Sequence, residues 1–427
     1  MSGYIVLILF FGLLFLGVPV AFTMIFSSGL YLLLSDMSIL TLTQRMGGAL
    51  NSITLLSVPT FIFAGWIMNS GGLTTALFNS VLTTRICKAR GGLGYVNVVA
   101  SLIFAGMSGA ALADLGGLGN IEMRAMKENG YSDEDALGIT LASSAIGPIF
   151  PPSIPLLIFA LVASVSGIKI LIAGIIPGII LALSMMFIIA INAKRKNYPR
   201  GNVNISKKER WQIQRKGVPA LIAPIILLGG LFSGLYSPSE LACVAVVYAS
   251  IVGLVFYKGL NKKSFIEAAK ETTIMISNTL FILSSATIFA FVLTVERIPQ
   301  LLKILLTGAT DNLFLLILVV NVILLIIGMV LDTGTALLIF TPMVLPLFKF
   351  LGMNPIQVGI MICLNLIIGL YTPPFGVCLF MATTMSKKPM ECVIKAVLPY
   401  YIPMFITLIL VSYWPALSTW LPSILVK

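Results

Sequence analysis

The chain has 427 residues and a formal net charge of +12; 58% of its residues are hydrophobic, only 10% are charged, and its mean hydropathy is +1.06. Because soluble domains carry about 25% charged residues, this composition excludes an ordinary soluble protein and predicts a chain that crosses a membrane many times. The absence of histidine excludes histidine-based catalysis and most zinc sites, and no GxxxxGK[ST] motif is present for ATP binding by a P-loop.

The first apolar run, Tyr4–Leu34, is too long for one crossing. A helix of its length would measure about 46 Å, whereas the hydrocarbon core of a bilayer is about 30 Å thick. Pro19 lies in the middle of the run and predicts a turn between two short helices. Residues 51–69 then predict a third crossing, and Leu73–Thr84 an amphipathic arm along the interface.

The segment at about 95–127 predicts a re-entrant hairpin. Basic residues precede and follow it, so both of its ends are expected in the cytoplasm. About 30 residues between these flanks are too many for one crossing of about 20, and a hairpin with its tip near Gly106–Ala111 fits both observations. A broken helix at 136–164 then crosses outward, and Ile170–Ala193 returns to a basic cytoplasmic linker at 194–217.

The remaining residues, 218–427, predict the same plan upside down. The hairpin at about 312–350 enters from outside, with its tip at Leu331–Ala336. The crossings of this half are expected at Val218–Leu235, Leu241–Tyr257, Thr273–Val295, the broken helix 357–384 and Ala396–Tyr413. Basic residues at 85–90, 194–216 and 258–270 mark the cytoplasmic side, where anionic lipid headgroups are the expected contacts, and nucleic acid is not expected as a partner.

An internal repeat supports this plan. Four features recur at a constant offset of 222 positions: Gly106-Met107 as Gly328-Met329, Ile146-Gly147 as Ile368-Gly369, Pro151-Pro152 as Pro373-Pro374, and Pro177 as Pro399. Glycine and proline breaks inside apolar spans are typical of secondary transporters built from related halves. Five crossings and one hairpin per half make the second half insert upside down. We therefore expect an all-α polytopic fold with inverted repeats at 1–193 and 218–427, and both termini at the periplasmic face.

Seven motifs together resemble one family of membrane proteins. They are Ser57–Met68, Gly91–Asn97, Phe104–Asp114, Ala142–Pro155, Gly328–Asp332, Thr341–Pro346 and Ile368–Gly376. Along essentially its whole length the chain resembles the large membrane subunit of TRAP (tripartite ATP-independent periplasmic) transporters, and we favour the sialic acid type. One departure is Asp332-Thr-Gly-Thr335, where the family often has Asp-Thr-Thr or Asp-Leu-Thr.

The resemblance implies a sodium-coupled importer of organic acids in the bacterial inner membrane, with an elevator-like fold of the ion-transporter superfamily. In that mechanism the hairpins and broken helices move as one body against a scaffold. It also implies a small four-helix membrane subunit and a periplasmic substrate-binding protein as partners. The polar, glycine-containing second tip favours a sialic acid or another sugar acid as substrate, with a C4-dicarboxylate as the alternative.

The hairpin tips and helix breaks are the candidate binding sites. Irregular backbone at membrane depth is tolerated only where it lines a cavity or binds something, and carbonyl and hydroxyl oxygens are ligands for a hard cation such as Na⁺. The first predicted sodium site comprises Ser108, Gly109, Gly147 and Pro148. The second comprises Asp332, Thr333, Gly334, Gly369 and Thr372. The predicted substrate contacts are Ser108, Ser153, Asp332 and Thr335.

Other interpretations of these residues remain open at this point. Asp114 is either a structural N-cap or a functional acid, and Glu240 is expected to cap the helix after Pro238. Asp332-Thr333-Gly334 matches the triplet of aspartic proteases, with Asp114 as a second carboxylate, although the residues around Asp114 do not repeat the triplet. The remote alternatives to a carrier are therefore an intramembrane protease and a channel; as a carrier, the protein would not be an enzyme.

Overall fold

A computed structural model of the chain describes residues 3–51, 53–201, 206–309 and 312–426, and within these ranges it contains helices but no β-strand. The N-terminal helices are α1 (Gly3–Phe15), α2 (Val20–Leu34), α3 (Leu40–Leu50), α4 (Ser57–Ser70) and α5 (Leu73–Leu82). The turn predicted near Pro19 is confirmed. The predicted interfacial arm is α5, which is bent by 66° from α4. Helix α3 was not predicted.

The first hairpin consists of α6 (Gly92–Ser108) and a descending limb in three parts. These parts are α7 (Ala111–Asp114), a π-helical segment (Leu115–Gly119) and α8 (Asn120–Glu128). The first broken helix follows as α9 (Asp133–Ser143), which a short 3₁₀ turn extends to Ile146, and α10 (Ile154–Ala163). Helices α11 (Gly167–Ala173) and α12 (Ile175–Arg195) then complete the first half.

The second half begins with α13, whose first residue, Lys207, lies inside the predicted linker 194–217. Residues 202–205 of that linker lie outside the described ranges. The helices are α13 (Lys207–Ser233), α14 (Pro238–Ile251) with a π-helical end (Val252–Phe256), α15 (Lys262–Val295), α16 (Ile298–Ala309), α17 (Leu313–Val330), α18 (Thr333–Phe350), α19 (Pro355–Leu370), α20 (Val377–Ser386), α21 (Met390–Val397), α22 (Tyr401–Tyr413) and α23 (Ala416–Leu425).

The two hairpins correspond residue by residue. Helix α17 ends 222 positions after α6, and α18 spans the residues that lie 222 positions after Ala111–Glu128. The broken helices correspond in the same way, with α9 and α10 matched by α19 and α20, and the Pro151–Pro152 and Pro373–Pro374 peptide bonds are both cis. The tips lie at Gly109–Ala110 and Leu331–Asp332, within or next to the predicted segments.

The number of full-length spans is smaller than the prediction of five per half. In the described part of the chain, seven helices are long and apolar enough to cross a membrane, and the bent pair α4–α5 would be an eighth. Helix α1 has 13 residues and α10 has 10, so they rise only about 20 Å and 15 Å. The predicted crossings are real apolar helices, but several are shorter than the membrane core.

The broken helices lie at the centre of the molecule. Helix α19 is buried without interruption from Gln357 to Leu370, and α9 and α10 are buried over most of their length. A helix that is apolar on every side lies either in a protein core or in lipid, and the burial of α19 places it in the protein core. At the periphery, a capping box joins Ser237 and Glu240 at the start of α14, which confirms the predicted role of Glu240.

An ion-pair network connects elements of both halves on the side predicted to be cytoplasmic. The carboxylate of Asp133, at the start of α9, lies 3.0 Å from Lys127 Nζ of the first hairpin and 3.2 Å from Lys388 Nζ after α20. The two ammonium groups hold the pKa of Asp133 below its usual value. Because these side chains are exposed to solvent, we assign the network a positioning role and little stability.

Candidate functional site

The tip of the first hairpin is held against the break of the first broken helix. Helix α6 ends at Ser108, and Gly109 follows with φ +62°, a conformation that glycine adopts without strain. The Gly109 carbonyl accepts a hydrogen bond of 3.2 Å from the Ile154 amide. A Cβ atom at Gly109 would lie only 2.2 Å from the Pro152 carbonyl oxygen, so the close approach requires glycine.

The hydroxyl group of Ser108 is buried and has no hydrogen-bond partner. On the opposing break, a Cβ atom at Gly147 would lie 3.5 Å from the Ser144 carbonyl oxygen and 3.6 Å from that of Ala110. The structure therefore brings the tip residues Ser108 and Gly109 to the same break as Gly147 and Pro148, with an unsatisfied hydroxyl among backbone carbonyls. Such oxygens fit a hard cation better than they fit an apolar contact.

Ser153 has a different role from Ser108. It is fully buried at the N-cap of α10, where its side chain accepts a hydrogen bond from the Leu156 amide and donates one to the Pro148 carbonyl. Both capacities of the hydroxyl are therefore used by the backbone. Its position favours a capping role over the predicted contact with substrate.

At the second tip, Asp332 is the N-cap residue of α18. Its carboxylate accepts hydrogen bonds from the Thr335 amide at 3.0 Å and from the Thr335 hydroxyl at 3.0 Å. The Thr333 hydroxyl next to it is buried without a partner. Asp332 itself is exposed, so the structure combines a capping contact with a carboxylate open to a cavity.

The second hairpin meets the second break through two glycines. A Cβ atom at Gly369 would lie 2.4 Å from the Gly328 carbonyl carbon, so α17 and α19 are in backbone contact at this point. The Thr372 hydroxyl donates to the Ile368 carbonyl at 2.8 Å, which occupies its proton but leaves its oxygen able to accept or to bind a cation.

A cavity of about 290 Å³ lies between the two tips and α15. Both predicted residues Asp332 and Thr335 line it, whereas Ser108 and Ser153 do not. Its other polar lining comes from Thr333 and Gly334 of the same tip and from Asn278 and Thr279 of α15. No Lys or Arg of the described residues lines it, so a guanidinium or ammonium clamp for a carboxylate is absent from this lining.

The sequence matches the model of one protein family. Residues 7–417 match the model of the DctM component of the tripartite ATP-independent periplasmic transporters. The chain belongs to this family. It is therefore the large permease of a TRAP transporter, a multi-pass membrane protein, as its motifs predicted.

Relatives of this TRAP permease include transporters with two kinds of named substrate. It is 36% identical to the sialic acid TRAP transporter large permease protein SiaM of Vibrio cholerae, over 97% of this chain and 96% of that one. It is 34% identical to the sialic acid TRAP transporter permease protein SiaT of Haemophilus influenzae, over 100% and 69% of the respective chains. It is also 34% identical to the C4-dicarboxylate TRAP transporter large permease protein DctM of Vibrio cholerae, over 100% and 98%.

A solved structure has a similar fold. The YdaH transporter of Alcanivorax borkumensis, described as having an unusual topology, superimposes with a TM-score of 0.64 over 88% of this chain and 87% of that one. The sequence identity is only 16%, so this similarity concerns the fold alone. It confirms the predicted fold class of an all-helical polytopic transporter.

The position of Asp114 corrects one sequence interpretation. Asp114 lies inside the descending limb of the first hairpin, and its side chain makes no capping hydrogen bond, so the structure disfavours the N-cap role among the two that the sequence left open. It is fully buried and does not line the cavity that contains Asp332. An aspartic protease needs two carboxylates about 3 Å apart in one site. Because Asp114 does not line the cavity that contains Asp332, the structure argues against an intramembrane protease.

Sequence reasoning missed the contribution of α15 to the cavity. Asn278 and Thr279 face the tips of the hairpins from a helix that was predicted only as a crossing. The available signal was a pair of polar residues in an apolar helix, but serine and threonine residues are frequent throughout α15. Only the packing of α15 against the hairpins distinguishes the two that line a cavity.

Proposed function

We propose that this TRAP permease imports an organic acid across the bacterial inner membrane together with sodium ions, and that a sialic acid or another sugar acid is the substrate. The observation that supports it most directly is the cavity between two hairpin tips, lined by Asp332 and Thr335 and flanked by unpartnered hydroxyl groups of Ser108 and Thr333.

The residues at the two tips fit sodium. At the first tip, Ser108 and the backbone of Gly109, Gly147 and Pro148 would hold one ion; at the second, the holding groups would come from Asp332, Thr333, Gly334, Gly369 and Thr372. The unsatisfied Ser108 and Thr333 hydroxyls are the structural reason for this assignment. Bound sodium would supply positive charge near a substrate carboxylate.

Two helix N-termini at the cavity would favour an anionic substrate. The N-terminal residues of α10, Ile154 and Pro155, and of α18, Thr333 and Gly334, line it from two sides. Helix N-termini carry partial positive charge, so they favour a carboxylate. At α10 this charge acts without a free amide, because the Ile154 and Leu156 amides already donate to Gly109 and Ser153. The Asp332 carboxylate would accept hydrogen bonds from the hydroxyl groups of a sugar acid, and Thr335 and Asn278 would donate hydrogen bonds to them or accept from them.

A C4-dicarboxylate is the second candidate substrate, and the similarity to the DctM permease of Vibrio cholerae favours it. The cavity itself favours a sugar acid, because a dicarboxylate has two charges to neutralise and this lining contains no Lys or Arg.

Transport is proposed to follow an elevator mechanism. The hairpins and broken helices would move as one body, because contacts join them in both halves. Gly109 is hydrogen-bonded to Ile154, and Gly328 touches Gly369. Asp133 forms ion pairs with both Lys127 and Lys388. Helix α15 would then belong to the scaffold. A small four-helix subunit and a periplasmic binding protein would complete the system, and both termini would lie at the periplasmic face.

The proposal is tested by uptake into vesicles that contain the permease and its small subunit, with the binding protein and labelled sialic acid outside. We expect accumulation above the external concentration under an inward sodium gradient, inhibited by excess unlabelled sialic acid but not by succinate. Uptake that only equilibrates would indicate a channel, and accumulation of labelled succinate but not of labelled sialic acid would indicate a dicarboxylate carrier.

A further inference from the structure

The first hairpin contains two buried acids that the proposed function does not use. Asp114 is 2% exposed and Glu122 is 1% exposed, and both lie on the descending limb of the hairpin. Both carboxylate oxygens of Asp114 and one of Glu122 have no hydrogen-bond partner. In the described part of the chain neither acid forms an ion pair with Lys or Arg.

The π-helical segment places both acids on one face of the limb. Asp114 directly precedes Leu115–Gly119, and Glu122 follows this segment within α8. The wider turn absorbs about one residue, so their spacing of eight corresponds to about seven α-helical residues, which is about two turns. A continuous α-helix would have turned the two carboxyl groups apart.

This face points to a network of neutral polar side chains. The Asn97 amide donates to the Thr140 hydroxyl at 2.9 Å and accepts from the Ser143 hydroxyl at 2.6 Å, and Ser101 donates to Ser143 at 3.2 Å. Ser101 is a neighbour of Asp114, and Asn97 is a neighbour of Glu122. From the second break, the Tyr371 hydroxyl is hydrogen-bonded at 2.9 Å to Ser144, the residue that follows Ser143.

The glycines of the π-helical segment permit this approach. A Cβ atom at Gly119 would lie 3.0 Å from Thr140 Cγ2, and one at Gly116 would lie 2.8 Å from Met381 Cε. The limb is therefore packed against α9 and α20, and no space remains at these points for solvent to screen the acids.

The second half shows that the fold itself does not need these acids. The positions that lie 222 residues after Asp114 and Glu122 are occupied by Ala336 and Val344, in a hairpin of the same length. The positions that correspond to Asn97 and Ser101 are Val319 and Ile323. Both acids and their hairpin neighbours Asn97 and Ser101 thus have apolar counterparts in the second hairpin, which argues for a binding role over a structural one.

We propose that Asp114 and Glu122 form a proton-binding site in the first hairpin, separate from the cavity between the tips, in which one of the two carboxyl groups holds a proton at neutral pH. Two ionised carboxylates buried together without a cation would carry a prohibitive desolvation cost and would repel each other. One proton removes one of the two charges and gives that carboxyl group an O–H, which can donate to the neighbouring neutral oxygens of the network. The proposal does not depend on the substrate or on the sodium sites.

The test is infrared difference spectroscopy on the purified protein, which reports the carbonyl stretch of protonated carboxyl groups. At neutral pH without sodium, we expect a signal of one protonated buried carboxyl per chain that disappears in the Asp114→Asn/Glu122→Gln double variant. Glu122→Gln alone should shift the loss of this signal to lower pH, because Asp114 then loses its charged neighbour.

The matched control is Glu128→Gln, on the same helix but exposed and paired with Arg124; it should leave the signal unchanged. If the double variant fails to fold, the Glu122→Gln titration still decides the question. Identical spectra and titrations for the wild type and all variants would overturn the proposal. A signal that disappears when sodium is added at constant pH would also overturn it, because the pair would then bind sodium.

Discussion

At the scale of single residues, two buried serines near the first break use their hydroxyl groups differently. Ser108 has no partner, whereas Ser153 caps α10. We expect Ser108→Ala to change the free energy of unfolding by less than about 0.5 kcal/mol and Ser153→Ala to lower it by about 1 kcal/mol. Sodium affinity should fall only in Ser108→Ala. Thermal unfolding and sodium titration of both variants check this, and equal stability loss in the two would contradict it.

Gly109 is the residue at the first tip with the least tolerance for a side chain. Gly109→Ala combines an unfavourable φ of +62° with a contact of 2.2 Å to the Pro152 oxygen. We expect a loss of stability of at least about 1–2 kcal/mol from the backbone conformation alone. Gly12→Ala is the control, since nothing lies within 4 Å of its Cβ position. Comparable melting temperatures for both variants would show that the tip is not packed as described.

Asp332 supplies the negative charge at the second tip. Asn replaces Asp as an N-cap with similar stability, so Asp332→Asn separates the charge from the capping role. We expect the variant to fold normally while its apparent sodium affinity falls about tenfold, equivalent to about 1.4 kcal/mol. Uptake measured against external sodium at equal membrane levels checks this. Glu240→Gln, at an exposed cap far along the chain, is the control and should behave like the wild type.

The residues of the second tip were easier to predict than their contacts. A carboxylate in an apolar segment is costly, by about 2.5–3.5 kcal/mol on insertion scales, so the presence of Asp332 was informative from sequence. Its capping bond to Thr335, the capping role of Ser153 and the burial of Glu122 depend on how helices end and pack. The spacing of residues along the sequence does not reveal these features.

At the scale of helices, glycine and proline positions predicted the elements well. The hairpins and broken helices appear where glycine and proline interrupt apolar runs, because both residues weaken a helix, although α18 continues through Pro342 and Pro346. Helix α3 was missed because its residues lack an apolar run of membrane length. The π-helical segment Leu115–Gly119 was missed because glycines there indicate a turn as readily as a widened helix.

The orientation of the first hairpin is a prediction at this scale. Lys88 and Arg124 are exposed at its two ends, and both should face the cytoplasm because basic loops are retained there. Single cysteines at these positions, in a cysteine-free background, should react in intact cells only with membrane-permeant reagents. Leu235, exposed between α13 and α14, is the control position and should react with impermeant reagents. Labelling of all three from outside would contradict the topology.

At the scale of the whole molecule, the repeat explains why the protein has a cavity between its two hairpin tips. Two copies of a hairpin and a broken helix meet at their irregular ends, and the cavity lies where they face α15. Family membership and fold were predictable from sequence because they rest on motifs and breaks. The substrate was not, because the cavity is lined by residues from separate elements whose packing fixes its shape.

The central claim is that sodium binding at the paired tips drives uptake. The most direct measurement is the initial rate of substrate uptake into vesicles containing the complete transporter, with external sodium replaced by potassium at constant membrane potential and constant osmolarity. The account predicts that uptake falls to the level of vesicles without protein and returns when sodium is restored. An uptake rate that is unchanged in potassium would contradict it.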